Sequence, residues 1–353
     1  MSAENLARRT SMEVEFDGAS ITKSIRPYLL GLTYTDCEEG QADDLQLCLQ
    51  DRGGLWRESW LAAMLEGAVK SRPLKIRAAI VRENWTGGGR DQRLDCGSFE
   101  LDAAELSTPP SELVIKATAL PFSGQIRQTK KSRAWENYRL SGIAREMAKA
   151  AGLGCMYEAK TDPRYDRQEQ RKQSDIDFLS RLCRDAGLSL KATDGMLVVF
   201  DQAAYEKKPP VKTIQPGKGY LSARLSAGTA GTKYASCRVR YTEPSTGRCI
   251  EGVAYSEDYD SEAKNNQQLE VTARVSSQGE AQALAANRLR MHNKFSKTAS
   301  FTFPGEPVLL GGNTVLLSGW GPFDGKYMIS QAVHTVDGGG YVTKVNLRRC
   351  LEG

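Results

Sequence analysis

Hydrophobic residues recur at every second position through much of the chain's first third. Leu45, Leu47 and Leu49 alternate with Asp44, Gln46, Cys48 and Gln50, and Leu74, Ile76, Ala78 and Ile80 keep the same step. Leu113, Ile115, Ala117 and Ala119 repeat it, while Met12, Val14 and Phe16 run into Asp17-Gly18, a hairpin-turn pair. A period of two buries one face of an extended segment and wets the other, so these stretches predict half-buried strands. Gly87-Gly88-Gly89 reads as a loop tip, and Thr108-Pro109-Pro110 interrupts regular structure before the last strand. Only residues 55–69 suit a helix here. An antiparallel barrel or sandwich is the expected result for residues 1–125.

The period changes after residue 126. A helix-Gly-strand unit occurs twice: residues 143–153 end in Ala151-Gly152-Leu153, and residues 178–188 end in Ala186-Gly187-Leu188. Glycine suits the left-handed position after a helix, and the leucine beyond it can fold back on the last turn. The second helix has a marked start, because Ser174 can cap and Asp177 completes a Ser-x-x-Asp box. Ile176, Leu179, Leu182, Cys183 and Ala186 then share one face at helical spacing. Residues 126–210 are therefore expected to form an α+β block that holds shape and presents surface.

Lys207-Lys208-Pro209-Pro210 reads as a linker, since paired prolines continue neither helix nor ladder. Strands dominate again over residues 211–353, interrupted by one helix that a second capping box, Ser277 to Glu280, introduces ahead of residues 281–291. The fold class expected is mainly β with an α+β insert. Two similar barrels flanking a smaller domain is the economical layout.

Composition narrows the function. The 353 residues carry 48 Lys and Arg against 43 Asp and Glu, a mild basic excess spread along the chain. That spread argues against a dedicated nucleic-acid binder, which concentrates its cations on one face. The eight cysteines include no CxxC, and no apolar run approaches the roughly 18 residues that span a bilayer. The N-terminus lacks the apolar core of a secretory signal. A reducing compartment and no membrane anchor are the expectations.

Candidate chemistry is sparse. Only two histidines occur, His292 and His334, one ending a helix and one within a strand, so a nucleophile-histidine-acid arrangement is not expected. Gly325-Lys326 lacks the rest of a phosphate loop and leads into a strand. Glu38-Glu39 and Asp43-Asp44 sit in the connection over residues 35–44, where adjacent acids are usually solvated. Arg127, Lys130, Lys131 and Arg133, followed by Trp135 and Tyr138, have the composition of a single-strand binder, but a charged surface loop joining two domains is the favoured account. Trp56 and Trp60 lie one helical turn apart beside Arg57; burial in the first core is the simpler account, though Trp with Arg is also the composition of interface hot spots.

Several segments carry a family likeness: Tyr34-Thr35-Asp36, Gly40-Gln41-Ala42-Asp43-Asp44-Leu45, Leu49 to Trp56, Tyr138 to Gly142, Gln173 to Leu179, Phe303-Pro304-Gly305, Gly319 to Tyr327 and Leu347 to Leu351. Through them the chain resembles, over essentially its whole length, the phage late control protein D family. Members are baseplate hubs of contractile tails, including those of prophages and phage-tail-like bacteriocins. The resemblance implies a trimeric, non-enzymatic hub, each subunit with two tube-like barrels, so that three subunits offer six barrels to a hexameric tail tube. It implies a homotrimer, the tail tube protein, the spike protein and other baseplate or tape-measure proteins as partners, with no cofactor, no metal and no nucleic acid. Assembly in the host cytoplasm and residence in the virion tail follow. Some related hubs carry a lysozyme or peptidase domain, and with the sequence ending at Gly353 none is expected here. Asp36, Gly40, Asp43, Asp44, Trp56, Arg57 and Trp60 are the expected docking residues, as an acidic connection and a Trp/Arg cluster. The rival readings are a nucleic-acid-binding late-gene regulator and a tail-associated cell-wall hydrolase.

Overall fold

The computed structural model describes residues 7–61, 74–85, 90–120, 125–228, 233–244, 246–264 and 266–351. The first region supplies β1 (Arg9–Phe16), β2 (Ala19–Ser20), β3 (Leu29–Cys37), β4 (Asp44–Gln50), β5 (Lys75–Glu83), β6 (Gln92–Ser107) and β7 (Glu112–Thr118). Their alternating apolar residues point inward as the period of two requires: Leu45, Leu47, Leu49, Leu113 and Ile115 are all buried in one core. Of the helix expected over 55–69, Trp56–Trp60 form a π-helical turn. The remainder of that stretch, like Gly87-Gly88-Gly89, lies outside the described residues.

The middle block contains β8 (Lys131–Arg139), α1 (Leu140–Ala150), β9 (Gly154–Glu158), β10 (Arg164–Gln173), α2 (Asp175–Asp185), β11 (Leu188–Thr193), β12 (Met196–Asp201) and the short α3 (Gln202–Glu206). Both helix-Gly-strand units form. Gly152 and Gly187 take φ of +71° and +73°, the left-handed conformation that glycine adopts without a Cβ penalty. After α1 the N–H of Leu153 reaches back to the Ala148 carbonyl at 2.9 Å and that of Gly152 to Lys149 at 3.1 Å, closing the helix end. Ser174 caps α2 by accepting from the Asp177 N–H at 3.2 Å. The apolar faces of both helices close a second core with Trp135, Leu197 and Val199.

The last region adds β13 (Lys212–Ile214), β14 (Ser222–Ala227), β15 (Ser236–Thr242), β16 (Cys249–Tyr255), β17 (Gln268–Thr272), α4 (Gln278–Asn293), β18 (Lys297–Pro304), β19 (Thr314–Leu317), β20 (Gly325–Asp337) and β21 (Gly340–Arg349). The sequence placed one helix inside the last sheet. Instead, α4 covers a separate three-stranded sheet, β16-β15-β17, and with it forms a core of its own around Cys237, Val239, Ala281, Ala285 and Leu289. Gly252 permits this seating, because a Cβ there would stand 2.4 Å from the carbonyl carbon of Ala281.

The two β-rich regions are hydrogen-bonded into one 13-stranded sheet. Its first part runs β3-β4-β7-β6-β5-β1, and its other part runs β14-β18-β21-β20-β19-β13. Setting aside β1 and β13, each part places its first, second, fifth, fourth and third principal strands in that spatial order. The likeness extends to irregularities. The β6–β7 ladder is bulged between Leu101 and Ala103, and the β20–β21 ladder between Ile329 and Gln331. Just before the bulge the N–H of Leu101 bonds the Leu74 carbonyl at 2.9 Å, and that of Ile329 bonds the Asn313 carbonyl at 2.8 Å. A bulge is a specific local device, so the same bulge on the same strand of the same order marks an internal duplication. The copies join where β3 pairs antiparallel with the far half of β20, Tyr34 opposite His334 and Leu32 opposite Val336.

Candidate functional site: the ionic junction behind the joint

The connection between β3 and β4, at the end of the β3–β20 joint, is where the three parts of the chain meet. Its acids, expected in solvent, are mostly buried. Asp36 and Asp43 are 2% and 0% exposed. Asp36 pairs with Lys191 of β11 and accepts the Gly311 N–H at 2.9 Å. Asp43 accepts the Cys37 N–H at 3.0 Å and lies 3.6 Å from the Lys191 ammonium. One lysine thus serves two carboxylates, and burial, followed by the charge of Asp36, pushes the Asp43 carboxyl up to about 7.

Glu38 and Glu39 carry the junction to the last region. Arg348 of β21 is fully buried and grips Glu38 with Nε at 2.8 Å and with Nη2. Its Nη1 reaches Glu206 of α3 at 2.6 Å, and Glu206 also pairs with Arg290 of α4. Burial opposes the charge on Arg348, but Glu38 and Glu206 outweigh it and raise its pKa. Glu39 pairs with Lys294 and accepts from Ser189 and Gln202 at 2.8 Å each. Burial works against the Glu39 charge as well, yet Lys294 and Ser189 hold its carboxyl below the usual range. The result is a chain of charge-assisted bonds from β3 through the α+β block to β21. It is suited to fixing the relative position of three cores.

The other expected docking residues take no part in these ion pairs, and Trp56, Arg57 and Trp60 stay together in one turn. Gly40 is exposed at φ +78°, and Asp44 is half-buried at the start of β4. Trp56 and Trp60 pack against the first core, Trp56 edge-on to Tyr28 at 5.8 Å and Trp60 stacked on Phe16 at 5.9 Å. Arg57 projects outward beside Glu58 at 4.0 Å. The ion-pairing role of Glu38, Glu39 and Arg348 was not legible in the sequence. Its signal was the run of acids in a connection too short to escape the fold, with an arginine at the end of an apolar strand.

The features weighed for other chemistry sit in structural settings. His334 is fully buried, its Nε2 on the Leu309 carbonyl at 3.0 Å and its Nδ1 facing the Tyr341 hydroxyl at 2.8 Å. Burial keeps this ring neutral, with its pKa lowered to about 4. In the basic run, Arg127 pairs with Asp102 at 2.8 Å, Lys131 with Asp175 at 2.5 Å and Arg133 with Glu146 at 2.6 Å. Trp135 is 2% exposed beneath Arg133, so it offers no open face on which a base could stack.

A duplicated β-scaffold with its parts locked by buried ion pairs defines the class: a structural protein of the tail-hub fold. The chain belongs to the phage tail baseplate hub family, whose model matches residues 111–340. It is 26% identical over 215 residues, 58% of this chain, to the probable baseplate hub protein of Escherichia phage P2. The aligned part spans about half of that relative, 49% of its length. Among solved structures, the 43 kDa tail protein of prophage MuSo2 from Shewanella oneidensis matches with a TM-score of 0.68 at 15% identity, covering 97% of this chain and 98% of that one. A tail protein from Neisseria meningitidis MC58 matches with a TM-score of 0.69 at 12% identity, over 96% of both chains.

Proposed function

We propose that this chain is a trimeric adaptor at the centre of a contractile tail or tail-like particle, joining the tail tube above to the spike below. The observation that carries the reading is the duplicated strand order. A chain with two similar β-units offers six such units in a trimer, so a threefold spike can meet a sixfold tube without breaking closed symmetry. Two tube-like barrels per chain, within the divisions 1–125 and 211–353, would supply those units. The α+β block and the small α4 sheet would face neighbouring baseplate or tape-measure proteins. The exposed parts of the expected docking region, Gly40 and Arg57, would belong to these contacts, with Trp56 and Trp60 stiffening the surface from below. The chain acts by position in this reading and not by catalysis, from host cytoplasm to virion.

The direct test is the mass of the purified full chain, alone and with its spike partner, by light scattering. Three times the 38.8 kDa chain mass, and a one-to-one complex of trimers with the spike, are expected. A chain that stays monomeric alone and with the spike overturns the reading.

A further inference from the structure

The internal duplication leaves an unmatched pair of edges. In the joint between copies, the first principal strand of one copy, β3, lies along the outer half of the fourth strand of the other, β20. The equivalents are β14 and the stretch of β6 beyond its bulge. Among the described residues neither has a backbone partner on the corresponding edge: β14 pairs only with β18, and β6 beyond Leu101 pairs only with β7. The unit is therefore asymmetric, with one joint made inside the chain and the two halves of a second joint left apart.

The register follows from the shared geometry. The three-residue rows Leu32–Leu47–Ile115 and Ala223–Phe301–Val345 occupy equivalent places across the ladders, which equates Tyr34 with Leu225 and Asp36 with Ala227. The common bulge equates Ala332 with Ala104 and His334 with Leu106. Transferring the β3–β20 register then sets Leu225 opposite Leu106, Ala227 opposite Ala104 and Ser226 opposite Glu105. The backbone agrees. Gly228 N–H bonds the Ser296 carbonyl at 3.0 Å, continuing the alternation in which Ser222, Arg224 and Ser226 bond β18, so the amides and carbonyls of Ala223, Leu225 and Ala227 point to the open edge.

The side chains match as well. Leu106 is 38% exposed, and Leu225 is only half-buried against its own core, so pairing them covers apolar surface on both. On the opposite face Arg224 comes diagonal to Glu105, a second cation beside the Lys116 that Glu105 already holds at 2.5 Å. Open edges of this kind are normally shielded by charge, proline or a covering element. Here β14 presents only Arg224 as a charge.

We propose that β14 of one copy adds antiparallel to residues 102–107 of β6 in a second copy, reproducing between subunits the joint that β3 and β20 make within one. The contact is head-to-tail, and so it repeats until the ring closes. The proposal rests on the trimeric reading above and adds to it the strands and the register.

A disulfide tests both the edge and the register. Opposite residues of an antiparallel pair lie about 4.5–5.5 Å apart at Cα, within disulfide range. In a Cys249→Ser background of the full chain, Glu105→Cys with Ser226→Cys should give, on mild oxidation, a covalent ladder ending at three chains. The control Glu105→Cys with Ala227→Cys points its thiols to opposite faces and should give at least tenfold less. A particle of trimeric mass by light scattering that shows no such ladder, or an equal ladder in the control, overturns this edge and leaves the trimer standing. A protein that is monomeric alone and with the spike overturns both.

Discussion

The two copies of the β-unit share their strand order and their bulge but differ in what backs the leading strand. In the first copy β3 runs into a connection carrying Asp36, Glu38, Glu39 and Asp43, each engaged by a lysine or arginine from another part of the chain. In the second copy the position equivalent to Asp36 is Ala227, and β14 is exposed along nearly its whole length. The same supersecondary unit has thus been developed in two directions. One leading strand is fastened by buried charge to a partner within the chain, and the other, among the described residues, lies at an open edge with Arg224 as its single charge. The copies also differ before that strand, since β1 pairs antiparallel with β5 whereas β13 pairs parallel with β19. Duplication supplies the geometry of a joint, and in the proposed trimer the residues flanking it would decide whether the joint closes inside or between molecules.

The strongest way to break this contrast is to remove the charge that fastens the closed joint. Arg348→Met keeps the side chain's bulk but leaves Glu38 and Glu206 buried without their shared cation. Breaking a buried pair from one side typically costs about 3–5 kcal/mol. The variant's denaturant midpoint should fall by an amount equivalent to that loss, read by near-ultraviolet circular dichroism. A midpoint equal to the parent's would mean that strand pairing alone holds the copies together.

Matched truncations at equivalent positions sharpen it further. Tyr34 is 4% exposed, stacks on His334 with ring centroids 6.0 Å apart and lies edge-on to Phe99. Tyr34→Ala should cost about 3 kcal/mol of chain stability, as large-to-small changes in a core do. Its counterpart Leu225→Ala, at a half-buried edge position, should cost less than about 1 kcal/mol and instead weaken self-association several-fold in sedimentation. Equal losses of chain stability from the two would show that β14 is already covered inside the monomer.

Much of this contrast was legible in the sequence only as repetition. The alternation of Leu45, Leu47 and Leu49 and of Leu113, Ile115 and Ala117 marks strands, and Ala-Gly-Leu marks both helix ends, because each is a local preference. The strand order was not legible. It is set by pairings such as Tyr34 with His334, some three hundred positions apart, for which no local pattern exists. The separate α4 sheet was hidden for a related reason: its helix and strands look alike whether they join the large sheet or stand apart. The junction misled because adjacent acids are more often solvated than buried. Lys191, Lys294 and Arg348, drawn from distant elements, supply the charges that make this setting tolerable. Trp135 and the basic run were likewise ambiguous until Asp102, Asp175 and Glu146 were seen to be their partners.

The smallest effect concerns the acidity of the closed joint, and it has no counterpart at the open edge. Asp43 is fully buried, with Asp36 beside it and Lys191 shared between them, and its carboxyl is raised to about 7 by burial first and by Asp36 second. A carboxyl whose folded pKa exceeds its unfolded value, about 4, binds its proton more tightly in the folded chain. Its ionisation therefore burdens the folded state fully above pH 7. That burden shrinks as pH falls and is gone below about pH 4. Glu39 works in the opposite sense: its carboxyl is held low, so its contribution is lost only as pH drops below the ordinary glutamate range. Replacing Asp43 by Asn removes the first effect and spares the second, while the amide oxygen can still accept the Cys37 N–H. The stability difference between variant and parent should then be on the order of 1–3 kcal/mol more favourable to the variant at pH 8 than at pH 4.5, given about 1.4 kcal/mol per unit of displaced pKa. The Asn side chain brings its own fixed cost, and that cost cancels in the comparison across pH. Urea unfolding at four or five pH values measures the slope. Parallel curves for the two proteins would mean that Lys191 keeps Asp43 ionised throughout and that the closed joint is indifferent to acid.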